Sequence, residues 1–209
     1  MGQRSVTSAQ ARTHRVPQQD RSRNTRRALL AATVSMLAEE GWAATTVAAV
    51  AARAGVSRGA AQHHFPTREA LITATLEQLF TDLTDRVNDS FDVPAQGAAR
   101  VHRVVEYAVE IYTGTEFKAA LQVWAAAASD PALRELIRPL ELRLARAAHQ
   151  MTMAALGADP DDENAFRLVQ ATLDLARGLG LADTLSDDSA RRAVVVETWS
   201  QQMAAALFQ

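Results

Sequence analysis

Residues 46–65 read TVAAVAARAGVSRGAAQHHF, and this stretch decides the fold. Its valines and alanines predict a short helix over residues 47–54, with Thr46 as the N-cap. Gly55 stands where the chain must reverse, because glycine adopts a positive φ without steric cost. Ser57 can cap the next helix, so that the first side chains of that helix point outward. The pattern predicts a helix-turn-helix; an ordinary helical hairpin is the alternative, because the A-x-x-x-G spacing alone fits both.

The rest of the chain also has helical patterning. Its apolar residues recur every three or four positions between prolines and glycines, and no stretch sustains the period of two that marks a strand. We therefore predict an all-α fold with about nine helices. The predicted helices cover residues 24–40, 47–54, 58–64, 67–90, 100–113, 116–128, 131–156, 164–181 and 189–208. Gly41 is the predicted stop of the first helix, and Asp130 is the predicted cap of the seventh, followed by Pro131.

The charge is divided unevenly along the chain, whose formal net charge is −2. Residues 1–68 contain ten arginines against three acidic residues, a balance of +7, so residues 69–209 carry 12 basic and 21 acidic residues, a balance of −9. A basic end predicts a polyanionic partner for the first third, because neutralising phosphates releases condensed counterions. The alternative is a solvated basic tail, and residues 1–22 are predicted to form a disordered basic arm.

The composition excludes several classes of protein. The chain contains no cysteine, which excludes disulfides, thiolate metal sites and thiol nucleophiles. His63 and His64 are neighbours that diverge by about 100° on a helix, so no metal site is expected there. Without a nucleotide-binding or hydrolase fingerprint, we expect neither catalysis nor a cofactor. No apolar run approaches the roughly 18–20 residues of a membrane span, so we expect a soluble, cytoplasmic protein without a membrane partner.

A longer set of residues extends the motif in both directions: Thr46, Val50, Ala51, Ala54, Gly55, Val56, Ser57, Gly59, His64, Phe65, Pro66, Thr67, Arg68, Glu69, Ala70 and Leu71. On this set, residues 24–71 resemble the DNA-binding segment of the TetR family of bacterial regulators. The family usually carries tyrosine where Gln62 stands and lysine where Arg68 stands. The resemblance implies a helix-turn-helix DNA-binding domain over residues 23–68 and a helical-bundle ligand-binding and dimerisation domain over residues 69–209.

The position of each residue in the motif suggests its role on DNA. Arg58, Gly59 and Gln62 occupy the start and outer face of the recognition helix, where arginine pairs well with guanine and glutamine with adenine. Gly59 and Ala60 leave room for the backbone to come close, and Ser57 is the cap of that helix. Short polar and basic side chains fix the register on the duplex. The phosphate-binding candidates are Thr46, His63, His64, Thr67 and Arg68.

The resemblance also implies an inducer cavity among helices four to eight and a homodimer formed through the last two helices. Tyr107, Trp124 and His149 are the candidate lining residues, although ordinary core packing explains such residues equally well. The last two helices carry stripes too apolar to face water, so these stripes either seal the protomer or pair with a second copy. The candidate interface residues are Leu168, Thr172, Leu173, Val195, Trp199 and Met203.

Together these features predict a repressor. A dimer would bind a pseudo-palindromic operator in double-stranded DNA, and an unidentified small-molecule inducer would release it. One alternative is a DNA-binding activator or architectural protein without small-molecule input, which differs in whether any ligand alters operator affinity. Another is an all-α ligand-binding or enzymatic protein that does not bind DNA, which would lack salt-dependent duplex binding.

Overall fold

The computed structural model describes residues 15–90 and 96–208, and within these ranges it contains helices and no strand. This confirms the predicted all-α fold. The element bounds agree with the predicted ones to within three residues, except for the first helix, which begins nine residues earlier and ends four residues later than predicted. The helices are α1 (Arg15–Ala44), α2 (Val47–Arg53), α3 (Arg58–His64), α4 (Arg68–Ser90), α5 (Gly97–Thr113), α6 (Thr115–Ser129), α7 (Pro131–Leu156), α8 (Glu163–Asp183) and α9 (Ser189–Leu207).

Helix α1 is longer than the sequence pattern suggested. It begins at Arg15, so residues 15–22 of the predicted disordered arm are helical, which corrects that part of the prediction. The prediction for residues 1–14 lies outside the described residues. The helix is interrupted at Gly41, whose φ of 82° favours glycine, and it continues to Ala44. The predicted stop at Gly41 is therefore a kink close to the end of the helix.

The first four helices enclose a small apolar core. Leu29, Leu30 and Met36 of α1 are buried against Val50 and Ala51 of α2. From the other side, the cluster is completed by side chains of α3, of the residue after it and of the start of α4. These are Ala61, Phe65 and Leu71. This packing fixes the orientation of α3 relative to α1, because close-packed side chains leave little freedom for rotation.

A second core lies among the C-terminal helices. Helix α5 packs against α8 and α9, and the buried side chains include Val105, Val109, Val169, Leu179 and Met203. Helix α7 closes the bundle on another side. It begins as predicted, with Asp130 accepting hydrogen bonds from the backbone N–H groups of the first turn, followed by a proline.

A third cluster connects the two cores. Leu37 of α1 and Ile72 of α4 are buried together with Ala119, Val123 and Ala127 of α6. The DNA-binding and ligand-binding regions predicted from the sequence are thus joined by apolar packing of α6 on α1.

Among the described residues, no helix is both long enough and apolar enough to span a membrane.

Candidate nucleic-acid interface and ligand cavity

Side-chain caps shape the turn between α2 and α3. Thr46 accepts a hydrogen bond from the backbone N–H of Ala49 at 3.2 Å, and Ser57 accepts one from Ala60 at 3.2 Å. Gly55 between them has a φ of 65°. Each cap satisfies a backbone donor that the helix itself leaves unpaired, and the glycine permits the reversal. The sequence-predicted helix-turn-helix geometry is therefore present.

The outer face of α3 is open to a partner. Arg58, Gly59, Gln62 and His63 are exposed, whereas Ala60 is half-buried. A Cβ added at Gly59 would meet no atom within 4 Å. Three polar side chains that can reach base edges or phosphates therefore surround a stretch of bare backbone, the arrangement that close approach to a groove requires.

The hydroxyl groups predicted to contact phosphate serve first as caps. Thr67 accepts a hydrogen bond from the backbone N–H of Ala70 at 3.1 Å, as Thr46 and Ser57 do at their own helices. All three are exposed. A hydroxyl that accepts in a cap still has its own hydrogen to donate, so these residues can bind a phosphate oxygen without breaking the cap.

Arg68 makes a contact within the protein that its local sequence did not predict. Its guanidinium carbon lies 3.7 Å from the centre of the Trp42 ring, and its Nη2 donates to the backbone oxygen of Trp42. Burial lowers the pKa of Arg68 below its usual value. The side chain holds the start of α4 against the end of α1, and its contact with a phosphate stays a prediction.

Other basic residues surround the reading face. Arg53 is bound to Glu39 and Glu40 of α1, whose hydrogen bonds and charges raise its pKa. The guanidinium of Arg26 lies 5.5 Å from the Phe65 ring, close to the end of α3, and Arg27 is exposed. Arg53 thus ties α2 to α1, while Arg26 supplies positive charge near the end of α3.

The two histidines of α3 lie close together without forming a metal site. The rings of His63 and His64 are 5.7 Å apart and meet edge to face. Within the described residues, no group of three or more metal-ligating side chains is close enough to hold an ion.

A cavity of about 140 Å³ lies among α4 to α8. Its wall is mainly apolar, with residues such as Leu79, Leu83 and Leu144. Tyr107 and Trp124, which the sequence analysis named, belong to this wall. The cavity is therefore where the resemblance placed one, between the helices of the C-terminal bundle.

His149 lies outside this cavity, contrary to the prediction. It is buried, its Nε2 is 3.1 Å from the backbone oxygen of Phe166, and the two rings are 4.1 Å apart. The side chain therefore faces the start of α8. The sequence showed only that the residue belongs to an amphipathic helix, and not which neighbour that side of the helix meets.

One end of the cavity is polar, which the sequence pattern did not predict. This end is formed by Tyr112, Glu141 and Arg177. Arg177 Nη2 lies 3.4 Å from the Tyr112 hydroxyl, and burial raises the pKa of that hydroxyl. Burial also raises the pKa of Glu141, against the opposing effects of Arg177 and of a hydrogen bond from Trp124. The sequence did contain a signal for these two polar residues. Glu141 and Arg177 follow the buried Ile137 and Leu173 by four residues, so each lies on the same helix face as a buried residue.

The candidate dimer residues fall into two groups. Thr172, Leu173 and Met203 are buried within the protomer, and the Trp199 indole donates to Thr172 Oγ1 at 2.9 Å. Burial inside one copy removes these three residues from an interface, so that part of the prediction is wrong. Leu168, Val195 and Trp199 are half-buried. The apolar stripes therefore mainly seal the protomer, the first of the two possibilities considered.

The sequence was compared with known families and proteins. Residues 29–75 match the family described as bacterial regulatory proteins, tetR family. The transcriptional regulator CymR of Pseudomonas putida is 32% identical over 177 residues, which cover 83% of this chain and 86% of that protein. The regulator BetI 2 of Chromohalobacter salexigens is 31% identical over 186 residues, covering 85% of this chain and 87% of that protein.

Solved structures show the same fold. A transcriptional regulator from Rhodococcus sp. Rha1 has a TM-score of 0.65 at 23% identity, over 87% of this chain and 95% of that one. A regulator from Saccharomonospora viridis, solved in complex with choline, has a TM-score of 0.62 at 21% identity, over 87% of this chain and 94% of that one.

Proposed function

This chain belongs to the tetR family of bacterial regulatory proteins, and from that premise we propose that it is a repressor released from DNA by a small molecule. In this proposal a homodimer binds a pseudo-palindromic operator. The observation that carries the proposal is the outer face of α3, where Arg58, Gly59 and Gln62 are exposed side by side. Its neighbours α1 and α2 hold this face outward through a buried core.

The proposed reading mode follows from side-chain chemistry. Arg58 can donate two hydrogen bonds to a guanine, Gln62 can pair with an adenine, and the bare backbone at Gly59 lets the helix approach the base edges. Thr46 and Thr67 are proposed to bind phosphates on either side. Ser57, His63, His64 and Arg68 are the other proposed contacts to the DNA backbone.

Fluorescence anisotropy on an operator recovered from random duplexes tests this reading mode. Arg58→Ala and Gln62→Ala should each weaken binding by roughly 5- to 150-fold and relax the preference at one base pair, because each loses a direct base contact. Arg138→Ala is the matched control: it removes the same charge from α7, where that side chain is 65% exposed. Unchanged affinity and preference in both α3 variants would refute base reading by this helix.

We propose that the dimer forms through the exposed faces of α8 and α9. Val194 and Leu181 are 66% and 54% exposed, and Ala171, Gly178 and Thr198 are exposed small residues on the same two helices. Small residues allow helices to approach closely, and apolar side chains favour burial against a second copy. A two-fold dimer would present two copies of α3 about 34–36 Å apart, the spacing of successive major grooves.

The proposed release mechanism uses the contact between α6 and α1. Trp124 of α6 lines the cavity, while the side chain of Gln122 lies beside the kink at Gly41, 3.2 Å from where a Cβ would be. A ligand that shifts α6 would therefore move α1 and the reading helix with it. The ligand must bind the two arrangements unequally, since otherwise the equilibrium between them would not change.

Tryptophan fluorescence tests the site of ligand binding. A panel of small molecules, including choline because of the structural relative, is titrated into wild type, Trp124→Phe and the control Trp199→Phe. The response to a binding compound should be lost in Trp124→Phe and kept in Trp199→Phe, because only Trp124 lines the cavity. A response that persists unaltered in Trp124→Phe would contradict binding at this cavity.

A further inference from the structure

The polar end of the cavity contains an unpaired hydrogen-bond donor. Arg177 donates through Nη1 to Asp174 at 2.6 Å and through Nη2 to Tyr112 at 3.4 Å. Its Nε is buried and has no hydrogen-bond partner among the described residues. A buried donor of this kind is costly to leave unpaired, and an acceptor on a ligand would satisfy it.

The same end of the cavity contains an acceptor with spare capacity. A carboxylate can accept about four hydrogen bonds. Trp124, the one donor assigned to Glu141 among the described residues, leaves several of these sites open. A donor on the ligand would therefore find an acceptor in Glu141, while the Nε donor of Arg177 remains for an acceptor on the ligand.

The charges of the lining residues oppose each other. Two arginines, Arg86 and Arg177, and two glutamates, Glu116 and Glu141, line the cavity, so their formal charges cancel. Arg86 and Glu116 are already paired at 3.4 Å. Asp174 lies outside the lining, pairs with Arg177 at 2.6 Å and is 56% exposed, so this ion pair stays in contact with water. A charged ligand would be attracted by one partner and repelled by the other, and it would lose its hydration against mainly apolar walls.

The volume limits the size of the ligand. The cavity measures about 140 Å³, close to the roughly 150 Å³ of an engineered apolar cavity that binds benzene. Aromatic rings line it near the polar end: Phe117 meets Tyr112 at 5.1 Å and Trp124 at 5.7 Å, both edge to face. A single six-membered ring fits this space and can join the edge-to-face series.

We propose that the cavity binds an uncharged, one-ring molecule with a hydroxyl group that donates to Glu141 and accepts from Arg177. This proposal rests on the proposed function for the effect of the ligand on DNA, and on the cavity alone for the chemistry of the ligand.

Four probes that share one ring test the proposal: phenol, toluene, benzoate and phenyltrimethylammonium. Each is titrated into the full-length protein without DNA, and the dissociation constant is measured by calorimetry. Phenol should bind about tenfold more tightly than each of the others, because it alone pairs with both polar groups without adding charge. Tighter binding of a charged probe, equal binding of toluene, or no saturable binding of phenol would each overturn the proposal.

Two variants distinguish the loss of one ligand contact from a general disruption of the cavity. Arg177→Met should weaken the binding of phenol by about tenfold and change the binding of toluene by less than about threefold, because the hydrogen-bond donor is lost and the apolar wall is kept. Glu141→Gln keeps an acceptor but removes the negative charge, so benzoate should bind about tenfold more tightly while phenol changes little. Parallel losses of phenol and toluene in Arg177→Met, or no gain for benzoate in Glu141→Gln, would contradict the assigned roles.

Operator release is measured separately with the same probes. If phenol binds and does not release the operator, the ligand chemistry stands and the proposed release mechanism fails. If benzoate or phenyltrimethylammonium alone releases the operator, the release mechanism stands and the ligand chemistry fails.

Discussion

Replacing Gly180 by alanine places one methyl group where α5 and α8 touch. The added Cβ would lie 2.0 Å from the backbone oxygen of Tyr112 and 2.8 Å from Cε1 of Phe117. Ordinary carbon contacts need about 3.5 Å, so the two helices must separate by about 1 to 1.5 Å. The nearest obstacle is backbone, which cannot rotate away as a side chain can.

The expected cost follows from this overlap. Overpacking a well-packed core costs about 1–3 kcal/mol, and a backbone obstacle places Gly180→Ala at the upper end, at about 3 kcal/mol. For a chain of this length, 1 kcal/mol lowers Tm by roughly 2–4 °C, so Tm should fall by about 6–12 °C. Tyr112 and Phe117 also line the cavity, so the separation should distort the ligand site as well.

Thermal unfolding followed by circular dichroism measures the effect at one fixed protein concentration. Gly59→Ala is the matched control, because a Cβ there meets no atom within 4 Å and the substitution should be neutral or stabilise by up to about 1 kcal/mol. If Gly180→Ala unfolds at the same temperature as Gly59→Ala, the close packing of α5 on α8 is wrong.

Three further predictions test other parts of the structure. Gly178→Arg should sediment as a folded monomer, because the residue is exposed on the proposed dimer face; a dimer of wild-type affinity would count against that face. Asp183→Asn should lower the unfolding free energy by about 1–2 kcal/mol at neutral pH, because Lys118 at 2.9 Å and Arg192 at 2.6 Å stabilise the ionised carboxylate and lower the pKa of Asp183. This stabilisation is fully present above pH 3.8, the ordinary pKa, and is lost as the pH falls through the folded pKa, so the difference from wild type in urea unfolding should shrink below pH 3.8. A constant difference down to pH 3 would disprove the pairing. Ser57→Ala should lower the unfolding free energy by about 1 kcal/mol through loss of the α3 cap, and an unchanged Tm would argue against the cap.

Much of the fold was predictable because its signals are local. Caps, glycines and prolines act on their own neighbours, so Ser57 and Asp130 marked helix starts correctly from the sequence alone. Apolar spacing likewise predicted buried residues such as Leu173 and Met203, whereas Val194 of α9 is 66% exposed. The longer α1 was missed because residues 15–23 are mostly polar, with Val16 and Pro17 the exceptions, and carry no apolar period.

The parts of the site that the sequence did not predict depend on contacts between distant segments. Arg68 lies on Trp42, 26 residues earlier, and nothing in its local sequence distinguishes that position from one facing DNA. Met203 is buried, as the apolar stripe of its helix predicted, but the stripe does not identify the partner helix. His149 is buried as well, and nothing in its local sequence identified the start of α8 as its neighbour. Which helix faces pack together is a property of the tertiary structure, and the periodicity of a single sequence does not show it.

The central claim is that the outer face of α3 enters a major groove, and methylation interference on the selected operator tests it most directly. Methyl groups on guanine N7 lie in the major groove, where Arg58 is expected to donate. The account predicts that N7 methylation in each half-site blocks wild-type binding, and that Arg58→Ala no longer responds at one of these guanines. Binding that tolerates N7 methylation throughout both half-sites would contradict it.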